Sequence, residues 1–217
     1  MAVDFLLLQR YPEPAAVRFR HYDWRRPAFT FGYSQKIAEV RAALPAGETL
    51  ELCRRATGGG IVDHRHDWTY ALVVPRGHPL EEARATDAYR AVHQALADAL
   101  AALGQPVELA RECAPCEDGP KVCFTRAEVH DVVHRPTGAK VAGAAMKRNK
   151  HGLLLQGSIE KTPLGPVDWD AFAADFTSRL ATALGAEAHE TPWPDLNDDE
   201  VTALTDQYST PEWIEYR

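Results

Sequence analysis

Three groups of residues have types and neighbours that could do chemistry. Cys123 stands in KVCFTR, close to Lys121 and Arg126; nearby cations lower a thiol pKa and raise the thiolate fraction that makes cysteine a nucleophile. A buried, unreactive cysteine fits the same local sequence. Lys140 follows a glycine-containing turn in GAKVAGAAM. It is either a solvated edge residue or a cation held over a substrate groove, and its small neighbours favour the groove. Residues 53–64, CRRATGGGIVDH, set Arg54 and Arg55 before Gly58, Gly59 and Gly60, then return to apolar residues and His64. Three glycines leave backbone N–H groups unshielded and permit positive φ, which suits close approach to a carbonyl oxygen or a phosphate. A glycine-rich hairpin with no ligand is the other reading of the same spacing.

Several nucleotide and metal sites are excluded or disfavoured on physical grounds. ATGGGIVD lacks the Gly-Lys-Ser/Thr ending of a phosphate-binding loop and runs into a strand where a helix N-terminus would be needed, and a dinucleotide fingerprint fails for the same reason. Cys113-x2-Cys116 followed by His130-x3-His134 has the literal spacing of a two-Cys, two-His zinc site. EVHDVVH alternates as a strand does, however, and residues four apart on a strand lie about 13 Å from one another. No metal is therefore expected; Cys113 and Cys116 read as a structural or redox-labile pair.

The elements that must position these groups follow from periodicity. Residues 1–10 read as a short helix burying Phe5, Leu6 and Leu8; residues 16–22 alternate as a strand; residues 28–35 form a second strand cut by Gly32. Residues 48–55 lead into the glycine loop and 68–74 leave it as a buried strand ending at Pro75, so the loop connects strand to strand. Ala88, Val92, Leu96, Leu100 and Leu103 mark a helix with Thr86 as N-cap and Gly104 as C′ residue. Residues 105–120 read as irregular. Strands at 128–134, 139–146 and 153–159, separated by turns at 135–138 and 147–152, make a β-meander. Trp169, Phe172, Phe176, Leu180 and Leu184 mark a second amphipathic helix, and 198–208 a last short one. The fold class is α+β, a mixed or largely antiparallel sheet covered by helices.

At 217 residues with 45% hydrophobic composition, a single domain over residues 1–217 is expected. The net charge of −7 argues against a nucleic-acid partner, since phosphate neutralisation needs a basic surface. No apolar run approaches the roughly 18 residues of a membrane span, and Asp4 interrupts any signal-peptide pattern. A cytoplasmic protein with no membrane partner is expected.

Taken together, CRRATGGGIVDH, VCF, GAKVAGAAMKRNKHGLLLQGSI and QYSTPEWIEYR stand in the order, and at about the separations, of the family of lipoate-protein ligases and octanoyltransferases. That family's catalytic fold is related to biotin protein ligase. MAVDFLLL and VRFRHYDWRRPAFTFGYSQ resemble its opening segments, so the resemblance covers almost the whole chain. It implies that Arg54, Arg55, Thr57, Gly58, Gly59, Gly60, His64, Gly143, Ala144 and Gly157 belong to an acyl-binding site, with His64 capping the pocket, and that Lys140 contacts the reacting carbonyl. Cys123 is similar to the acyl-accepting cysteine of one octanoyltransferase branch, where ligases carry a non-nucleophilic residue.

The resemblance therefore implies transfer of an octanoyl or lipoyl group from acyl carrier protein, through a Cys123 thioester, to a lysine of a lipoyl-domain protein such as the glycine cleavage H protein. That reaction needs no cofactor. An ATP-dependent lipoate ligase, requiring ATP and Mg2+, is the alternative, and the expected lack of an accessory C-terminal domain favours transfer over it. A degenerate binder of acyl groups or carrier proteins is a third reading. Two departures bear on the pocket: Gln156 stands where relatives often have His, and Met146 where they have Gln. Lys147, Arg148 and Lys150 are the expected docking patch for acidic partners.

Overall fold

A computed structural model describes residues 1–10, 16–45, 50–113 and 126–216. In chain order the elements are α1 (Ala2–Gln9), β1 (Arg18–Tyr22), β2 (Ala28–Phe31), α2 (Ile37–Ala43), β3 (Glu51–Arg54), β4 (Val62–Asp63), β5 (Asp67–Pro75), α3 (Pro79–Glu82) and α4 (Ala85–Ala102). They continue with β6 (Val107–Leu109), β7 (Val132–His134), β8 (Lys140–Asn149), β9 (Gly152–Glu160), α5 (Trp169–Ala183), α6 (Asp198–Ser209) and α7 (Pro211–Ile214). The strands form two sheets. A six-stranded sheet has the order β1-β5-β9-β8-β7-β6, and a three-stranded sheet the order β3-β2-β4. The pairs are antiparallel except β2 with β3.

The large sheet is covered on both faces, which is why β5 and β9 read as nearly continuous apolar runs. Trp68, Tyr70, Leu72 and Val74 point to one face of β5, where they meet α4 and α5 through Val92, Leu96, Leu100, Phe172 and Phe176. Ala71 and Val73 point to the other face and meet Leu7 and Leu8 of α1. The small sheet has its own core of Phe29, Phe31, Val40 and Ile61. Glycine is required where β9 begins. Gly152 has φ +142°, and a Cβ there would lie 2.1 Å from the Val74 carbonyl oxygen.

The meander of β7, β8 and β9, the strand-to-strand glycine loop and the α4 and α5 helices agree with the sequence reading, and several boundaries differ. Thr86 does not cap α4; the helix begins at Ala85 behind Arg84, because the chain leaves α3 at Ala83 in extended conformation and turns at once into the next helix. Gly104, at φ +80°, does terminate it. The expected strand at 128–134 is reduced to Val132–His134. Asp131 accepts the Glu128 N–H through its side chain at 2.7 Å, and His130 takes φ +70°, so residues 128–131 form a turn; a short acidic side chain outcompetes the ladder there. The expected turn at 147–152 is also mostly strand, since β8 runs to Asn149. Within the region read as irregular, Val107–Leu109 pairs with β7.

Candidate active site

The cavity lies between the α1 face of the large sheet and the small sheet and is narrow, about 40 Å³. Its floor follows from the register. Gly143 pairs with Ser158, Ser158 with Thr69, and Thr69 with Tyr22, so these four residues form one row across β8, β9, β5 and β1. Four strands at about 4.8 Å spacing make a floor about 14 Å long. Its opposite wall is Thr30 of β2, Val62 of β4, Arg55, Gly59 and His64.

The glycine loop is held down by side chain and backbone together. Arg55 donates to Thr30 Oγ1 at 2.7 Å and to the carbonyl oxygens of Gly58 and Gly60 at 2.9 and 2.8 Å. Gly59 has φ +89°, and a Cβ on it would stand 3.5 Å from the Ala145 Cβ, so the loop rests directly on β8. Gly32 supports it from behind, where a Cβ would come within 2.0 Å of the Gly59 carbonyl oxygen. Thr57 donates to Gln156 Oε1 at 3.0 Å, and the Gln156 amide donates to Asp4 Oδ2 at 2.8 Å. Gln156 thus ties the loop to α1.

Asp67 organises the middle of the floor. Its Oδ2 accepts from His64 Nδ1 at 2.7 Å, from Thr69 Oγ1 at 2.7 Å and from the Ser158 hydroxyl. Burial pushes the Asp67 carboxyl up, but hydrogen bonding and charge from His64, then the Ser158 and Thr69 hydroxyls, outweigh it and hold the carboxyl below its ordinary range. Because Asp67 can only accept, His64 carries its proton on Nδ1, while Nε2 lies 2.7 Å from Thr30 Oγ1. The ring stacks on Trp24 at 4.3 Å, and the Trp24 indole donates to Thr69 Oγ1 at 2.8 Å. Every hydroxyl along this stretch is engaged inside the protein, which leaves a surface suited to an alkyl chain.

Lys140 stands at the β8 end of the floor. Ala142, Ala144 and Met146 face the α4 and α5 side of the sheet, and Lys140 shares their parity along the strand. The register shifts by one residue opposite Val132 and Val133, and this bulge turns Lys140 over to the cavity face. Its side chain lies across Gly143, where a Cβ would stand 2.6 Å from Lys140 Cε and 2.7 Å from Nζ. The ammonium pairs with Asp131 Oδ2 at 2.7 Å and donates to the Arg126 carbonyl oxygen at 3.5 Å. Lys140 does not itself line the cavity but lies against Gly143, which does; an ammonium so placed can meet a carbonyl oxygen that gains charge.

Of the residues expected to form the site, Arg55, Gly59, His64, Gly143, Ala144 and Gly157 line the cavity. Thr57, Gly58 and Gly60 shape it from behind. Arg54 faces away. Its fully buried guanidinium donates to the carbonyl oxygens of Tyr33 and Gln35, both at 2.7 Å, and of Trp213 and Ile214 at 3.0 and 2.8 Å, and so ties α7 to the strand before the loop. Cys123 and Cys116 lie outside the described residues, and the Cys113 thiol donates to Glu128 Oε2 at 3.0 Å. Of the basic residues at 147–150, Lys147 sits over the Phe5 and Tyr33 rings, and Arg148 donates to the Glu81 and Ala83 carbonyl oxygens. Sequence reasoning missed Asp67, Thr69, Ser158, Trp24 and Asp131. A signal existed for three of them: Asp67 and Thr69 stand two apart at the start of an apolar strand, and Ser158 stands two from Gln156 in another, so each pair shares a face.

Among the described residues, no helix is long and apolar enough to cross a membrane, and no group of three or more His, Cys, Asp or Glu residues could hold a metal ion. The chain is 34% identical over 169 residues to the octanoyltransferase LipM of Brevibacillus brevis, an alignment covering 73% of this chain and 60% of that protein. It is also 34% identical over 169 residues to the octanoyltransferase LipM of Moorella thermoacetica, covering 75% and 60%. The chain thus spans about 60% of the length of these curated relatives. Among solved structures, a lipoate-protein ligase A bound with ATP superposes with a TM-score of 0.75 at 19% identity, covering 99% of this chain and 92% of that one. A bipartite lipoate protein ligase from Thermoplasma acidophilum gives 0.70 at 19%, covering 100% and 91%. These likenesses establish the fold. The family described as the lipoyl protein ligase A/B catalytic domain matches residues 1–211, and the chain belongs to that family.

Proposed function

We propose that this protein is an acyltransferase that moves an octanoyl or lipoyl group from acyl carrier protein to a lysine of a lipoyl-domain protein such as the glycine cleavage H protein. The observation that carries the reading is an apolar-surfaced cavity floored by four strands, with the buried Lys140 ammonium packed against Gly143, the lining residue at its β8 end. Similarity to octanoyltransferases over 73% of the chain supports it. The acyl chain lies along the row from Gly143 to Tyr22, its carbonyl toward Lys140 and its far end toward Trp24. Cys123 is the acyl acceptor. It stands three residues before Arg126 in the sequence, and the Arg126 carbonyl oxygen accepts from Lys140 at 3.5 Å.

In the first step the Cys123 thiolate attacks the thioester carbonyl carbon. The carbonyl π electrons move to oxygen, where the Lys140 ammonium meets the oxyanion; collapse breaks the carbon–sulfur bond to the carrier, which leaves as a thiolate and takes up the proton that the Cys123 thiol gave up on ionising. Exchange of one thioester for another is close to balanced and needs no ATP. In the second step the acceptor lysine amine attacks the Cys123 thioester, an amide forms, and the departing thiolate takes the proton released by the amine. The second step runs downhill.

The test is intact-mass analysis after incubation with octanoyl carrier protein. One acyl group per chain is expected, lost in Cys123→Ser, together with octanoylation of a lipoyl-domain protein that fails in the same variant. Acceptor modification from free lipoate and ATP that survives Cys123→Ser establishes the ligase instead, and acyl binding without acceptor modification establishes a non-catalytic binder.

A further inference from the structure

We propose that Asp131 is the positioning residue that holds Lys140 at the cavity floor, and that His93 in α4 sets Asp131. The catalytic consequence rests on the transfer reading above; the positioning itself does not. The β8 bulge turns Lys140 to the cavity face but leaves a long, four-bond side chain with many rotamers. Two features restrict it. Gly143 gives it space, because any Cβ there would overlap Cε and Nζ. Asp131 gives it a fixed end point, with Oδ2 at 2.7 Å from Nζ and both side chains buried.

Asp131 is itself fixed from the protein core. The same Oδ2 accepts the Glu128 N–H at 2.7 Å, which closes the turn over residues 128–131. His130, inside that turn, holds φ +70°, a left-handed conformation that a side-chain-bearing residue keeps only when its surroundings impose it. Both backbone groups of His130 are tied: its N–H donates to the Ala110 carbonyl oxygen at 2.9 Å, and its carbonyl oxygen accepts from His93 Nδ1 at 2.7 Å. His93 projects from the buried face of α4, and burial pushes its pKa down, which favours an uncharged ring with the proton on Nδ1. A chain of contacts therefore runs from α4 through His93, the His130 carbonyl and Asp131 to Lys140.

The arrangement trades field strength for placement. A carboxylate 2.7 Å from the ammonium weakens its pull on a substrate carbonyl. It also keeps the ammonium where the oxyanion forms, so that no side-chain ordering is needed during the reaction. Without Asp131, Lys140 is a buried cation lacking its counter-ion, and it swings away from Gly143 toward water.

The test has two readouts on Asp131→Asn, Asp131→Glu, His93→Leu and His93→Asn. The first needs no substrate: the rate at which acetic anhydride modifies the Lys140 amine, read by peptide mass spectrometry on folded protein. Loss of the pair should raise that rate about tenfold or more in Asp131→Asn, and His93→Leu should raise it less. His93→Asn, whose amide N–H can replace the Nδ1 donor, should restore slow labelling. The second readout is steady-state transfer, where Asp131→Asn should lower kcat about 100-fold at nearly constant KM for the octanoyl donor, with partial recovery in Asp131→Glu. Unchanged labelling of Lys140 in folded Asp131→Asn overturns the proposal whatever the reaction proves to be. Faster labelling with unchanged kcat overturns the role in turnover and leaves the transfer reading standing. If the parent protein transfers no acyl group, the transfer reading fails and the labelling pattern alone decides the positioning role. If the Asp131 variants do not fold, the His93 pair decides it, and equal labelling in His93→Leu and His93→Asn overturns it.

Discussion

Substituting Gly32 by alanine tests how the glycine loop is placed. A Cβ at Gly32 would stand 2.0 Å from the Gly59 carbonyl oxygen and 2.8 Å from the Gly58 carbonyl carbon, both backbone atoms. Carbon and oxygen rest no closer than about 3.3 Å even in favourable C–H···O contacts, so the loop must retreat by about 1.3 Å. It is not free to do so. Arg55 holds the Gly58 and Gly60 carbonyl oxygens, and Tyr33 N–H donates to the Thr57 carbonyl oxygen at 2.9 Å. Displacement drives Gly59 toward Ala145 and into the cavity. Overpacking of this kind costs about 1–3 kcal/mol, and at about 2–4 °C per kcal/mol for a chain of this length the melting temperature should fall by about 2–12 °C. A cavity wall moved by about 1 Å should cost about 100-fold in kcat/KM for octanoyl transfer. Gly58→Ala is the stability control: a Cβ there meets nothing within 4 Å, and its melting temperature should stay within about 2 °C of the parent. Thermal unfolding by circular dichroism compares the two variants. Equal melting temperatures, or a larger loss in Gly58→Ala, would refute the placement of the loop against Gly32.

Two further outcomes are expected. Asp67→Asn cannot accept from His64, Thr69 and Ser158 as the carboxylate does, and should lose about 1–3 kcal/mol in thermal or denaturant unfolding. The Asp67 carboxyl is held below its ordinary value of 3.8 when folded, so its stabilisation is present above that pH and is lost as pH falls below it. The parent's stability should therefore drop more steeply than the variant's below about pH 4; parallel curves would contradict the assignment. Arg54→Ala removes the donor to the Tyr33, Gln35, Trp213 and Ile214 carbonyl oxygens, and should cost at least about 2 kcal/mol. It should also open the chain near Trp213 to limited proteolysis, and Arg54→Lys should recover little, since a point charge cannot replace the fork; an unchanged cleavage pattern would count against the clasp.

Much of the fold was legible because its elements carry strong local periodicity. The stripe of Ala88, Val92, Leu96 and Leu100 needs an apolar partner, and β5 and β9 supply it with residues whose apolar character continues on both faces. Boundaries failed where a side chain competes with the backbone, as at Asp131, or where one helix runs into the next, as at Arg84. The glycine loop's chemistry was legible in part. Its link from strand to strand followed from the sequence on either side, but the division of labour between Arg54 and Arg55 did not. Consecutive residues at a strand end point to opposite sides, and only the position of α7 shows which of the two reaches the cavity.

Sequence alone determined the α+β class, the order of the principal elements and the family whose motifs the chain carries, because propensity, periodicity and motif spacing are properties of neighbouring residues. Tertiary structure decided where those residues point and what they meet. Lys140 has the parity of a core residue, and a one-residue bulge opposite β7 reverses it. Asp67 gathers His64, Thr69 and Ser158, the last 91 residues away along the chain, because β5 and β9 pair in one register and no other. Strand side chains alternate with a period of two, so a shift of one residue exchanges the two faces of a sheet. Local sequence does not encode that shift.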